Sequence, residues 1–287
     1  MIDVAIVTCE RLRQLDPDEA MVLPRLEERG ITAKPVVWDD ATVDWRDFGA
    51  TVIRCPWDYA PRRREFVDWA HRVPRLHNSA HLVEWNTDKR YLADLAAAGI
   101  PVVPTTWMPP DGNVRLPDDG HWVFKPSVGA GSKDAGRYDM GLPNQARQAA
   151  EHVVRLQRDG LTVMAQPYIT QVDAHGERAL VYLDGAYSHT VRKSAMLTGP
   201  YRGLDALYQP ETITAAEPAP GDRELAERAL AAIPADRAPL YARVDIVDSA
   251  TGPLVLELEV TEPSLFFAWC PPAAGRFADA IAARIPG

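Results

Sequence analysis

The sequence predicts an α/β (α+β) protein on three observations. The first third alternates short apolar runs with amphipathic segments, a glycine- and serine-rich loop directly follows an apolar strand, and an acidic hairpin lies near the C-terminus. In the first part, strands are expected over 4–7, 32–37 and 51–54, with helices over 18–29 and 63–72. That order implies a small parallel α/β unit. Thr87 then reads as the N-cap of a helix over 88–98 that stops at Gly99 before Pro101. A strand over 122–125 leads into Val128-Gly-Ala-Gly-Ser-Lys-Asp-Ala-Gly136. A helix over 145–158 and strands over 161–166, 179–183 and 186–192 come next, then a helix over 222–233. After the hairpin, a helix over 275–284 closes the chain. Glu217-Pro-Ala-Pro-Gly221 is the most linker-like stretch, and a flexible loop is expected over 196–213.

The hairpin carries the most chemistry. It comprises Tyr241-Ala-Arg-Val-Asp-Ile-Val-Asp248, a turn at Asp248-Ser-Ala-Thr-Gly-Pro253, and Leu254-Val-Leu-Glu-Leu-Glu-Val-Thr-Glu-Pro263. Strand alternation puts Glu257 and Glu259 on one face, with Leu256, Leu258 and Val260 on the other. A turn centred near Thr251 sets Asp245 across from Glu257. Two carboxylates about 4 Å apart repel by roughly 4 kcal/mol at an effective dielectric of about 20, so such a cluster asks for a cation. An all-oxygen donor set suits Mg²⁺ or Mn²⁺ better than zinc. The other reading of the same pattern is the solvated outer face of an edge hairpin.

At 287 residues the chain has room for about two domains or subdomains, and its 46% hydrophobic and 25% charged residues are those of a globular protein in water. A net charge of −9 argues against general binding to nucleic acid or anionic membranes, while leaving room for a local nucleotide pocket. Cys9, Cys55 and Cys270 are scattered and odd in number, which predicts a reducing cytoplasm rather than a disulfide framework or zinc site. The N-terminal apolar run is too short for a leader and reads as a first strand. No apolar run is long enough to span a bilayer. Familiar phosphate motifs do not match: Ser132 separates Gly131 from Lys133 where a P-loop needs Gly-Lys, and Asp134 stands where a dinucleotide fingerprint needs glycine. Nor is there a His-Glu-x-x-His or Gly-x-Ser-x-Gly motif.

Read in order, the chain presents Lys89, Lys125-Pro-Ser127, the small-residue loop, Gln166-Pro-Tyr-Ile169, Gly176-Glu177, the basic residues Arg192, Lys193 and Arg202, Arg243-x-Asp245 and Glu257-x-Glu259. This series resembles the ATP-grasp superfamily of carboxylate–amine ligases over the whole chain. Within it, Arg54-x-x-Trp57-Asp58-Tyr59, Asn86-Thr-Asp-Lys-Arg-Tyr-Leu92 and Ser188-His189…Lys193 are similar to the cyclo-ligases of cycloserine biosynthesis, which close O-ureido-serine to an isoxazolidinone.

The resemblance implies an ATP-grasp fold: an N-terminal parallel α/β pre-ATP-grasp domain over 1–85, a small lid subdomain over 86–170 with a phosphate loop at 127–136, and a C-terminal subdomain over 171–287 bearing the metal site. It implies ATP and Mg²⁺ (or Mn²⁺) as cofactors and an amino-acid-like carboxylate as substrate in a cytoplasmic, commonly dimeric enzyme, with no nucleic acid or membrane partner. Lys89, Lys125, Ser127, Gly129, Gly131 and Ser132 would meet the phosphates. Main-chain groups of Gln166, Tyr168 and Ile169 would meet adenine, and Glu177 the ribose. Asp245, Glu257 and Glu259 would hold the metal, although Glu259 stands where relatives of glutathione synthetase have Asn. Arg243 would stabilise the oxyanion of a tetrahedral intermediate, with Arg202 and Lys193 as further catalytic cations. Arg54, Asp58, His189 and Arg192 would bind substrate. Asp205-Ala-Leu-Tyr208 replaces the glycine pair usual after the position of Arg202. The expected reaction activates a carboxylate as an acyl phosphate for attack by a nitrogen nucleophile. Cyclisation, intermolecular ligation, and nucleotide binding without catalysis all remain open at this level.

Overall fold

The computed structural model describes residues 2–203, 207 and 212–285. Its three sheets fall in chain order. The first is β2-β1-β3-β4, all parallel, built from β1 (Ile2–Thr8), β2 (Ala33–Val37), β3 (Phe48–Cys55) and β4 (Leu76–His77). Helices α1 (Val22–Glu27) and α2 (Arg63–Arg72) connect it, as the strand–helix alternation predicts. The first helix is shorter than expected, because 3-10 geometry at Glu19–Met21 precedes α1.

Thr87 is not an N-cap. It ends α3 (Ala80–Asn86), its hydroxyl donating to the Val83 carbonyl, and a separate α4 follows (Tyr91–Ala97). The second sheet is antiparallel, β5-β8-β6-β7, from β5 (Thr106–Met108), β6 (His121–Pro126), β7 (Gly136–Asp139) and β8 (Val163–Pro167), backed by α5 (Pro143–Arg158). After α6 (Gln171–His175) the third sheet runs β11-β10-β9-β12-β13. Its strands are β9 (Glu177–Leu183), β10 (Ala186–Lys193), β11 (Ile213–Ala216), β12 (Tyr241–Ser249) and β13 (Gly252–Glu259), with α7 (Asp222–Ala231) crossing between β11 and β12.

This third sheet is the platform of the molecule. One face buries Leu180, Tyr182, Val244 and Leu258 against α4 and α7. The other packs Ala179, Val181 and Val191 onto Val4 and Ile6 of the first sheet and Phe277 of α8 (Pro272–Ala282), so the chain's end closes the core of its beginning. Residues 91–97, inside the span expected for the lid subdomain, instead pack on the back of the third sheet. Among the described residues no helix is long and apolar enough to cross a membrane.

Candidate active site

The exposed end of the third sheet's inner face meets the second sheet across a cavity of about 340 Å³. Antiparallel pairing determines which side chains share that face. Asp245 pairs with Glu257 and Arg243 with Glu259 on one side, while Lys193 pairs with Glu177 on the other. The predicted alternation fails at one position. A β-bulge between Asp245 and Ile246 leaves Leu256 extra, so Leu256 and Glu257 both line the cavity. Gly176, with φ +70°, precedes Glu177 because a Cβ there would lie 2.3 Å from the Lys193 carbonyl oxygen.

Charges alternate across this floor. Asp245, 1% exposed, accepts from Arg243 Nε at 2.8 Å, Arg243 NH2 at 3.0 Å and Lys193 Nζ at 2.6 Å. Those cations outweigh burial and hold its carboxyl down at about 2. Lys193 also meets Glu177 at 2.9 Å, and Arg243 meets Glu259 and the Ser264 carbonyl. Lys89 reaches Glu257 at 3.0 Å and the Gly129 carbonyl at 2.7 Å. Glu259 and Glu262 are the exceptions. Burial, reinforced by neighbouring carboxylates, pushes Glu259 up to about 8, because Arg243 is shared with Asp245. Burial likewise lifts Glu262 to about 7, although the Tyr59 hydroxyl donates to it. Lys125 projects from the end of β6 into the cavity and makes no ion pair or hydrogen bond among the described residues. Burial and the nearby Lys89 and Lys193 push its ammonium down.

The loop after β6 covers this floor through Gly129, Ala130, Gly131, Ser132 and Lys133. Three of its residues, Gly131, Ser132 and Asp134, have left-handed backbones. Ser127 sits at the loop's start, buried, its amide donating to Thr162 and its carbonyl accepting from the Lys89 amide at 2.7 Å, so its place is structural. At the far end Val103, Ile169, Val172, Val247 and Leu256 form an apolar slot beside Gln166 and Tyr168. The Tyr168 amide already donates to the His121 carbonyl at 2.8 Å, so it is not free for adenine as expected.

None of the four residues expected at the substrate lines the cavity. Arg54 is fully buried, pairing bidentately with Glu19 at 2.7 and 2.9 Å and donating to the Pro263 carbonyl. Asp58 accepts from Trp38 Nε1 at 2.9 Å and pairs with Arg62. His189 is buried with Nε2 2.9 Å from the Leu265 carbonyl oxygen, and burial lowers its pKa to about 4. Arg192 is exposed on the face opposite Lys193, because neighbours on a strand alternate. Arg202 is exposed and off the cavity wall, and Asp205, Ala206 and Tyr208 lie outside the described residues.

The wall nearest Glu259 is instead formed by Trp57, Tyr59, Glu262, Ser264, Phe266 and Trp269. Trp57 and Tyr59 read from sequence as packing residues at a strand end, and Glu262 could not be assigned a side. Only its place after Glu257-x-Glu259 hinted at a role. Phe266, with φ +54°, is a strained aromatic there, its ring 5.4 Å from the Arg243 guanidinium.

As for the metal, the carboxylates fit an oxygen-ligated divalent cation: Glu257, Glu259 and Glu262 line one cavity, and burial, reinforced by the neighbouring carboxylates, raises the pKa of two of the three. Asp245 has both oxygens occupied and could join only by giving up its Lys193 contact. Among the described residues, the histidine and carboxylate atoms already gathered within 4.8 Å are those of surface residues His71, His81 and Glu84, away from this cavity.

Residues 4–78 match the family model for the N-terminal domain of the D-cycloserine synthetase DcsG. Over 302 aligned positions the chain is 39% identical to the cycloserine biosynthesis protein DcsG of Streptomyces lavendulae, covering 98% of each. The crystal structure of D-cycloserine synthetase DcsG superposes with a TM-score of 0.86 at 38% identity, covering 99% of both chains. More distant folds are similar too. A RimK-domain ATP-grasp protein of Sphaerobacter thermophilus gives 0.67 at 18% identity, covering 99% and 100%. The D-alanine–D-alanine ligase of Bacillus anthracis complexed with ATP gives 0.64 at 13%, covering 99% and 96%.

Proposed function

This chain belongs to the DcsG family of ATP-grasp ligases, and on that premise we propose that it is an ATP-dependent carbon–nitrogen ligase acting in cycloserine biosynthesis by intramolecular closure of O-ureido-serine. The observation that carries the reading is Lys125: a half-buried ammonium with no ion pair or hydrogen bond among the described residues, beside Lys89 and Lys193, under a glycine-rich loop. Holding a half-buried cation beside two others is costly unless an anion completes it, and a triphosphate would do so. Lys89 and Lys125 take the phosphates, and the 129–133 loop closes over them with backbone amides. The apolar slot beside Gln166 and Ile169 receives adenine, with Glu177 next to the ribose.

Glu257 and Glu259, with Asp245, would hold Mg²⁺ (or Mn²⁺), which would neutralise charge on the transferred phosphoryl group. The chain's own residues do the rest. Arg243, fixed by Asp245 and the Ser264 carbonyl, faces the reacting carboxyl and stabilises the oxyanion of the tetrahedral intermediate. Lys193 stands ready to leave Asp245 for the phosphate. Trp57, Tyr59, Phe266 and Trp269 wall the substrate from water, and Glu262, held by the Tyr59 hydroxyl, offers a proton-exchanging carboxyl beside it. Arg54 and His189 support this wall from behind, through the Pro263 and Leu265 carbonyls.

Phosphate release with O-ureido-serine as the sole carboxylate tests the proposal. ADP formed from that compound alone supports cyclisation. ADP formed only after an amine is added would assign the intermolecular reaction instead. Nucleotide binding without substrate-stimulated ADP formation would reduce the protein to a non-catalytic nucleotide binder.

A further inference from the structure

The segment 194–201 leaves β10 directly after Lys193 and crosses the cavity, where Met196 and Leu197 line it. It then fastens to the opposite subdomain. The Arg137 amide of β7 donates to the Gly199 carbonyl at 2.9 Å, and the Tyr201 amide donates to the Tyr138 hydroxyl at 3.2 Å. The Tyr201 ring lies flat on His152 of α5, centroids 5.0 Å apart and planes within 7°. Arg155, one turn further along α5, lays its guanidinium 4.8 Å from the centre of the same ring. Gly136 admits this approach, because a Cβ there would lie 2.8 Å from the Tyr201 amide nitrogen.

Arg155 has a second partner. Its NH2 donates to Asp134 Oδ1 at 2.6 Å, and Asp134 belongs to the loop that covers the cation-rich floor. Ser132 and Asp134 both hold left-handed backbones, at φ 57° and 59°. Such conformations are disfavoured for residues bearing a Cβ and persist where surrounding contacts enforce them. The Arg155 bridge is such a contact, and the Tyr201 ring restricts where Arg155 can point.

We infer that 194–201 is a strap latching the phosphate loop, with Tyr201 acting as a positioning residue through Arg155 and Asp134. The strap begins at the residue that pairs with Asp245 and Glu177, so one short segment joins the carboxylate floor to the loop above it. Tyr201 touches no reacting atom. Its effect is to raise the fraction of molecules whose loop is already arranged for phosphate, which lowers the conformational cost of binding ATP. The inference rests on the ATP reading above.

Two measurements test it on the full chain: hydrogen exchange over 129–136 without nucleotide, and steady-state kinetics against ATP. Tyr201→Ala is expected to speed exchange and to lower kcat/KM for ATP by about tenfold, the scale of one aromatic stack with one cation–π contact. Asp134→Asn should reproduce the alanine phenotype, and the double variant should be no worse than either single one, since both break one chain of contacts. Wild-type exchange and kinetics in Tyr201→Ala, or additive losses in the double variant, would each overturn the latch. A wild-type protein that consumes no ATP would count against the ligase reading, while the nucleotide-free exchange comparison would still decide the latch.

Discussion

Replacing Arg54 by methionine removes a fully buried guanidinium and strands Glu19, itself 1% exposed. In the native protein Arg54 supplies two charge-assisted hydrogen bonds to Glu19 and a third to the Pro263 carbonyl, with its guanidinium 4.6 Å from the Tyr241 ring centre. After the substitution, among the described residues, only the Leu265 amide, 3.2 Å from Glu19 Oε1, would still donate to the carboxylate. Removing one partner of a buried pair costs about 3–5 kcal/mol. At roughly 2–4 °C per kcal/mol for chains approaching this size, the melting temperature should fall by about 6–20 °C. A urea titration should show an earlier midpoint with the slope unchanged. The double change Glu19→Leu with Arg54→Met, which leaves no stranded charge, should recover much of the loss. An Arg54 that bound substrate would behave in the opposite way. A raised KM with a melting temperature within about 2 °C of wild type would refute the structural role assigned to it.

Glu257→Gln should abolish turnover, by more than about 100-fold, because on the proposed mechanism it removes both a ligand for the metal and the partner that orients Lys89. Its fold should survive, and near-wild-type rates would remove Glu257 from the mechanism. The second expectation concerns pH. Glu259 and Glu262, ordinarily near 4.5, titrate at about 8 and about 7 in the folded protein. A raised carboxyl holds its proton more tightly when folded, so its contribution to stability is complete below about pH 4.5 and disappears as pH rises through 7 and 8. Asp245, held at about 2, works in the other direction: its contribution is present above 3.8 and disappears as pH falls through 2. Thermal melts of the nucleotide-free protein should therefore decline between pH 5 and 9, and Glu259→Gln should flatten that decline. An identical slope in the variant would place the titration elsewhere.

Local chemistry made much of the site legible in the linear chain. Alternation on two strands joined by a turn at Thr251 was enough to pair Asp245 with Glu257, and that register is observed. A lysine ending an apolar strand just before Pro126 marked Lys125, since such an ammonium is tolerated only with a purpose. Small residues after it marked a loop able to approach phosphate closely. All of these depend on neighbours within a few positions.

What the tertiary structure alone decided were pairings over long separations. Arg54 reads as a recognition residue until Glu19 is found across the core, 35 positions away. His189 reads as a substrate-binding residue until the Leu265 carbonyl is found against it. The bulge that turns Leu256 into the cavity depends on the match between two strands, which neither strand encodes by itself. Trp57, Phe266 and Trp269 become one wall only because the last helix packs back onto the first sheet. Periodicity and residue type act through adjacent bonds and are written in order. Burial and charge compensation act through space, and only the folded chain states which groups meet.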